Sequence, residues 1–133
     1  MEQIFDALDD QSFGPLDPIA MFAAGISSGG YMTSRMAIQY ADRFHALAIE
    51  SASYATCGGP LCDVPDDLPT NHPPTLFLHG GDDKIVPIST AQTYFGKLED
   101  RGVPVRFVTD SLAGHQWLDA APGEITAFFD TYR

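Results

Sequence analysis

Three short stretches of the chain hold residue types that can do nucleophilic chemistry. Gly25-Ile26-Ser27-Ser28-Gly29 fits the pattern G-x-S-x-G, in which a serine sits on so sharp a strand-to-helix turn that the residues two before and two after it must be small. Gly25 and Gly29 flank Ser27 in that way, whereas a nucleophile at Ser28 would put Ile26 at a crowded position. Ser27 is therefore the expected nucleophile. Ser28, opening the following helix, is expected to aim its backbone N–H at a developing oxyanion. A serine hydroxyl reacts poorly until a base takes its proton, and a histidine base needs an acid to fix its tautomer. His79-Gly80-Gly81-Asp82-Asp83 supplies the acid, taken as Asp83, and Ala113-Gly114-His115-Gln116-Trp117 supplies the base, His115. Such a set performs acyl transfer through a covalent serine intermediate.

Each residue also has a plainer reading. Gly25 to Gly29 could be an ordinary glycine-rich turn, Asp82 and Asp83 solvated turn residues, and His115 a loop histidine. Among the other histidines, His45 begins a strand, His72 precedes Pro73 in a loop, and His79 is expected to buttress its own turn by hydrogen bonds. A metal site drawn from His72, His79, Asp82, Asp83 and His115 would have no recognised ligand spacing, so neither a metal nor an organic cofactor is expected. Cys57 and Cys62 are too few for a zinc site and too far apart for Cys-x-x-Cys. They read as a local disulfide or as two thiols, the disulfide favouring an oxidising compartment.

The elements that must position these residues follow from periodicity. A short amphipathic helix is expected over Glu2 to Asp10, stopped by Gly14, Pro15 and Pro18. Ile19 to Ala24 is a continuous apolar run that suits a strand buried on both faces, followed by a helix from Gly29 to Tyr40. His45 to Ser51 and Thr75 to His79 are the next two strands, separated by the proline-rich stretch Thr56 to Pro74. Ser89 to Arg101 reads as a helix with Ser89 as its N-cap, Val103 to Val108 as the fourth strand, and Pro122 to Tyr132 as a closing helix. Strands alternating with helices predict an α/β fold, a mainly parallel sheet of about four strands covered by helices on both faces. The three reactive residues then follow the first, third and fourth strands, at the strand ends where ligand sites in such sheets gather.

Composition limits the alternatives. A chain of 133 residues with 44% hydrophobic and 19% charged residues is globular and the size of one domain, 1–133. Seven basic against eighteen acidic residues give a net charge of −11 with no basic cluster, which argues against nucleic acid and anionic membrane partners. No apolar run reaches the roughly 20 residues needed to cross a bilayer, and Met1-Glu2-Gln3 does not open like a signal peptide.

The stretches Gly25-Ile-Ser-Ser-Gly-Gly-Tyr-Met-Thr, His79-Gly-x-x-Asp-x-x-Val-Pro and Gly114-His-Gln-Trp resemble the poly(3-hydroxybutyrate) depolymerase and feruloyl or acetylxylan esterase branch of the α/β-hydrolases. The resemblance runs from the first helix to the end of the chain. It implies a Ser27, Asp83, His115 triad in the chain order of that fold, with Asp83 preferred to Asp82 because the pattern places the acid three residues after the His-Gly pair. It also implies a serine esterase needing no cofactor, an ester or polyester substrate, and an extracellular setting. Trp117 and Tyr54 are candidate aromatic platforms under an acyl or aryl group, or else core residues.

The sequence departs from the family at its front, where only one helix precedes the first strand. The C-terminal half of a minimal α/β-hydrolase is thus expected, lacking the early strands and the loop that usually gives the second oxyanion N–H. The first strand would be an apolar edge, covered by a second copy in a homodimer. The alternative to an esterase is a non-catalytic remnant serving as a binding or assembly module.

Overall fold

The computed structural model describes residues 1–17, 20–58 and 61–133. Along them run α1 (Glu2–Asp9), β1 (Phe22–Ile26), α2 (Ser28–Gln39), a 3₁₀ turn (Ala41–Arg43), β2 (Ala46–Glu50), β3 (Thr75–Gly80), α3 (Ile88–Asp100), β4 (Val105–Asp110) and α4 (Ala121–Thr131). The four strands form one sheet in the order β1-β2-β3-β4, every pair parallel, as the alternating pattern predicts. Among the described residues, no helix is long and apolar enough to cross a membrane.

Strand side chains alternate between faces, and each face has its own cover. Ile49 and Phe77 face α3, meeting Tyr94 and Leu98, and Leu47 packs with Ala37 of α2. Ala46, Ala48, Leu76 and Leu78 face α4, meeting Ala121 and Phe128. The central strands β2 and β3 are buried along their whole length, which explains their nearly continuous apolar sequences. α1 docks through Phe5, whose ring packs edge-on against Tyr40 and Phe44.

A parallel pair needs a crossover, usually a helix. α2 links β1 to β2 and α3 links β3 to β4, but the described residues of the span 51–74, which links β2 to β3, form no helix. This segment is held by packing and polar anchors. Tyr54, Val64 and Leu68 are buried in the α3-side core, a disulfide joins Cys57 to Cys62, and Asn71 donates to Asp42 at 2.6 Å. His72 Nε2 lies 2.6 Å from the Tyr94 hydroxyl and its Nδ1 2.9 Å from Pro73 O. Burial pushes His72 down to about 4, against the Pro73 carbonyl, so the ring is neutral at pH 7.

Several expected boundaries move, each for a local reason. The first strand begins at Phe22; Pro18 and Ile19 lie outside the described residues. It is an edge strand with Ala24 exposed, so it is not buried on both faces. Its Phe22 stacks on Phe129 of α4 at 4.7 Å. Helix α3 starts one residue before Ser89, with Pro87 at the cap position and Thr90 Oγ1 donating to Pro87 O at 2.8 Å; Ser89 is therefore not the N-cap. β4 starts at Val105 because Val103 N–H still closes the end of α3 on Leu98 O, at 3.1 Å.

Candidate active site

The turn from β1 into α2 is tightly constrained. Ser27 sits at φ 53°, ψ −122°, in left-handed space that a non-glycine residue rarely occupies. A Cβ on Gly25 would lie 2.3 Å from Gly29 O, and one on Gly30 would lie 2.6 Å from the Ala52 side chain. Gly29 itself faces open space, so the glycine demanded after the turn is Gly30, and Gly29 takes part through its backbone oxygen. The Ser27 N–H is fixed by Glu50 O at 2.9 Å. Ser28 opens α2, where first-turn N–H groups have no acceptor within the helix.

A second close approach joins the ends of β3 and β4. A Cβ on Gly80 would fall 2.3 Å from Gly114 O, and one on Gly81 would fall 2.8 Å from the Ser111 backbone. With both positions bare, Gly81 N–H donates to Asp110 O at 2.8 Å and Asp82 N–H to Ala113 O at 2.9 Å. The two loops are laced together one residue short of the acid on one side and two short of the histidine on the other.

The lacing brings the three expected residues into one line. His115 Nδ1 lies 2.8 Å from Asp83 Oδ2, and its Nε2 lies 2.9 Å from Ser27 Oγ. The other Asp83 oxygen, Oδ1, accepts the N–H groups of Ile85 and Val86, each at 2.8 Å. Burial works to raise the Asp83 carboxyl, but the Val86 N–H, His115 and the Ile85 N–H outweigh it and hold the group below the usual carboxylate range. Asp83 is thus an anion with both oxygens occupied. Asp82 instead reaches out to Lys84 at 2.5 Å with its side chain largely exposed, which separates the two adjacent acids. Such a relay can take a proton from a serine hydroxyl and hold the imidazolium that results.

Residues around the relay divide between support and rim. His79 Nε2–H donates to Val86 O at 2.9 Å and lies 3.4 Å from Asp83 Oδ2, buttressing its turn as expected. Burial lowers its pKa despite the Val86 carbonyl and the Asp83 charge. Tyr31, in the first turns of α2, has its hydroxyl pushed up by burial and then by the Asp83 charge. Trp117 stands 48% exposed, two residues from His115. Tyr54 is 8% exposed and packs edge-on against Tyr94 at 5.3 Å, which places it in the core, the second of the two readings given for it.

Sequence reasoning passed over Glu50. It ends β2 fully buried, with Oε1 accepting Leu118 N–H at 2.5 Å and Oε2 without a partner among the described residues. The available signal was an acid closing the apolar run Ala46-Leu47-Ala48-Ile49.

Residues 63–130 match the prolyl oligopeptidase family. The chain belongs to that family. The chain is also 48% identical, over 129 residues, to a poly(3-hydroxyoctanoate) depolymerase of Pseudomonas fluorescens, covering 97% of this chain and 46% of the depolymerase. The chain therefore spans about half the length of that curated relative. Its fold is that of the α/β-hydrolases. An α/β-hydrolase from a Medee basin deep-sea metagenome library superposes over 98% of this chain and 62% of its own, with a TM-score of 0.81 at 17% identity. Esterase PE8 superposes over 98% and 60%, with a TM-score of 0.74 at 22% identity. The resemblance read from the three motifs is borne out in family and fold.

Within this fold, Glu50 gives a measurable pH signature. Burial pushes its carboxyl from the usual 4.5 up to about 6, with the Leu118 N–H acting the other way. The folded chain holds this proton more tightly than the unfolded one, so stability is lost as pH rises from 4.5 to about 6 and stays lost above. The shift corresponds to about 2 kcal/mol. In urea denaturation the parent should lose about 2 kcal/mol relative to Glu50→Gln across that window, and a constant difference would show that the carboxyl does not carry this proton.

Proposed function

We propose that this chain carries the nucleophile, base and acid of a serine carboxylester hydrolase. Ser27 Oγ attacks the ester carbonyl while His115 Nε2 takes its proton. The tetrahedral intermediate collapses as His115 returns that proton to the departing alcohol, leaving an acyl ester on Ser27. Water, deprotonated by the same nitrogen, then cleaves the acyl ester and releases the acid, restoring Ser27. Asp83 holds the His115 tautomer and stabilises the imidazolium. Ser28 N–H at the start of α2 is assigned to the oxyanion, where loss of one such donor costs about 10² to 10³ in rate. The observation that carries this reading is the pair of contacts from His115, 2.8 Å to Asp83 and 2.9 Å to Ser27.

The substrate class proposed is a polyester of aliphatic hydroxy acids, supported by the 48% identity to the Pseudomonas fluorescens poly(3-hydroxyoctanoate) depolymerase. Trp117 beside the base and Ile85 beside the acid, 48% and 67% exposed, offer apolar surface to an acyl chain next to the relay. Release of p-nitrophenol from short-chain esters should fall to background in Ser27→Ala and by about 10⁴-fold in Asp83→Asn. Equal rates in the parent and Ser27→Ala, or no hydrolysis by folded parent protein, would favour a non-catalytic binding module.

The β1 edge supports a further part of the proposal, pairing with a second copy of the chain through Phe22–Ile26. Light scattering at micromolar concentration should then give twice the mass of one chain. A monodisperse monomer would rule the homodimer out.

A further inference from the structure

Glu50 bonds the nucleophile's own backbone and the segment that carries the base. Its main-chain oxygen accepts Ser27 N–H at 2.9 Å, and its side-chain Oε1 accepts Leu118 N–H at 2.5 Å. Leu118 is buried in the α4-side core, three residues beyond His115. The segment carrying the base therefore has two attachments to the sheet end. Ala113 O is held by Asp82 N–H two residues before His115, and Leu118 N–H is held by Glu50 three residues after it. His115 rides between them, its ring nitrogens engaged by Asp83 and Ser27.

Glu50 is the next residue in the alternating series Ala46, Ala48, whose side chains pack with Leu118, Ala121 and Phe128. An apolar residue would suit that neighbourhood, and a buried carboxyl with one oxygen unpartnered among the described residues is costly there. What the carboxyl supplies that an apolar side chain cannot is an acceptor for Leu118 N–H.

We propose that Glu50 is a positioning residue of the acyl-transfer site, its carboxyl oxygen pinning Leu118 so that the span 113–118 presents His115 Nε2 to Ser27 Oγ. The inference rests on the reading of Ser27 and His115 given above. Glu50 makes no bond to substrate and moves no proton in the reaction; it acts through the placement of the imidazole, where a misplacement of about 1 Å costs about 10²-fold in rate.

The test compares the parent, Glu50→Leu and Glu50→Gln by p-nitrophenyl butyrate hydrolysis per folded chain and by NMR-resolved amide hydrogen exchange at Leu118. Glu50→Leu should lose Leu118 protection and about 10- to 100-fold in kcat, with KM changed by less than about 3-fold. Glu50→Gln keeps an acceptor oxygen and should recover most of both losses. Leu118 protection unchanged in Glu50→Leu, or full kcat with that protection lost, would overturn the proposal. If Glu50→Leu does not fold, Glu50→Ala takes its place with the same expectations. Leu118 protection that follows the acceptor in a parent with no Ser27-dependent hydrolysis would support the anchor and overturn the esterase reading instead.

Discussion

Three side chains from the ends of three different strands must meet within hydrogen-bonding range, and the imidazole of His115 is where they meet. Its nitrogens reach Asp83 at 2.8 Å and Ser27 at 2.9 Å, though Ser27 is 88 residues away in sequence. Hydrogen bonds of this kind form over a narrow distance range, about 2.7 to 3.2 Å, and weaken steeply when misaligned. The surrounding structure is therefore organised around keeping three loops in register. A parallel sheet suits this task because all four strands end on the same edge, each feeding its loop toward the same side.

Two kinds of device hold the loops. The first is the absence of side chains where backbones must touch. Gly25 accommodates the Gly29 carbonyl, and Gly80 and Gly81 admit the segment from Ser111 to Gly114. The second is the use of buried polar groups as fasteners. Asp83 is fixed by two backbone N–H groups, His79 clamps the carbonyl of Val86, and Glu50 reaches to Leu118. Val86 is bound from both of its peptide groups, N–H to Asp83 and C=O to His79, so the acid and its turn form one rigid unit.

Much of this was legible in the sequence because it depends on local pattern. Ser27 with its flanking glycines, Asp83 after His79-Gly80 and His115 after Gly114 all lie in short stretches whose geometry is set within a few residues, and strand and helix periodicities placed them at one sheet edge. What escaped depends on contacts distant in sequence. The need for a glycine falls on Gly30 and not on Gly29 because the crowding at Gly30 comes from Ala52, beyond the end of β2. Tyr54 is taken up by Tyr94, forty residues on, as the crossover folds onto α3. Glu50 finds its partner at Leu118, 68 residues away. Ser89 looked like a cap by type, yet the cap position falls on Pro87, two residues earlier.

That Ser27, Asp83 and His115 act as one nucleophilic unit can be tested without choosing a substrate, by treating the folded chain with a fluorophosphonate and locating the adduct by peptide mass spectrometry. A single adduct on Ser27, lost when His115 is replaced by alanine, is the predicted result. An adduct on Ser28 or elsewhere, or labelling of Ser27 that is indifferent to His115, would contradict it.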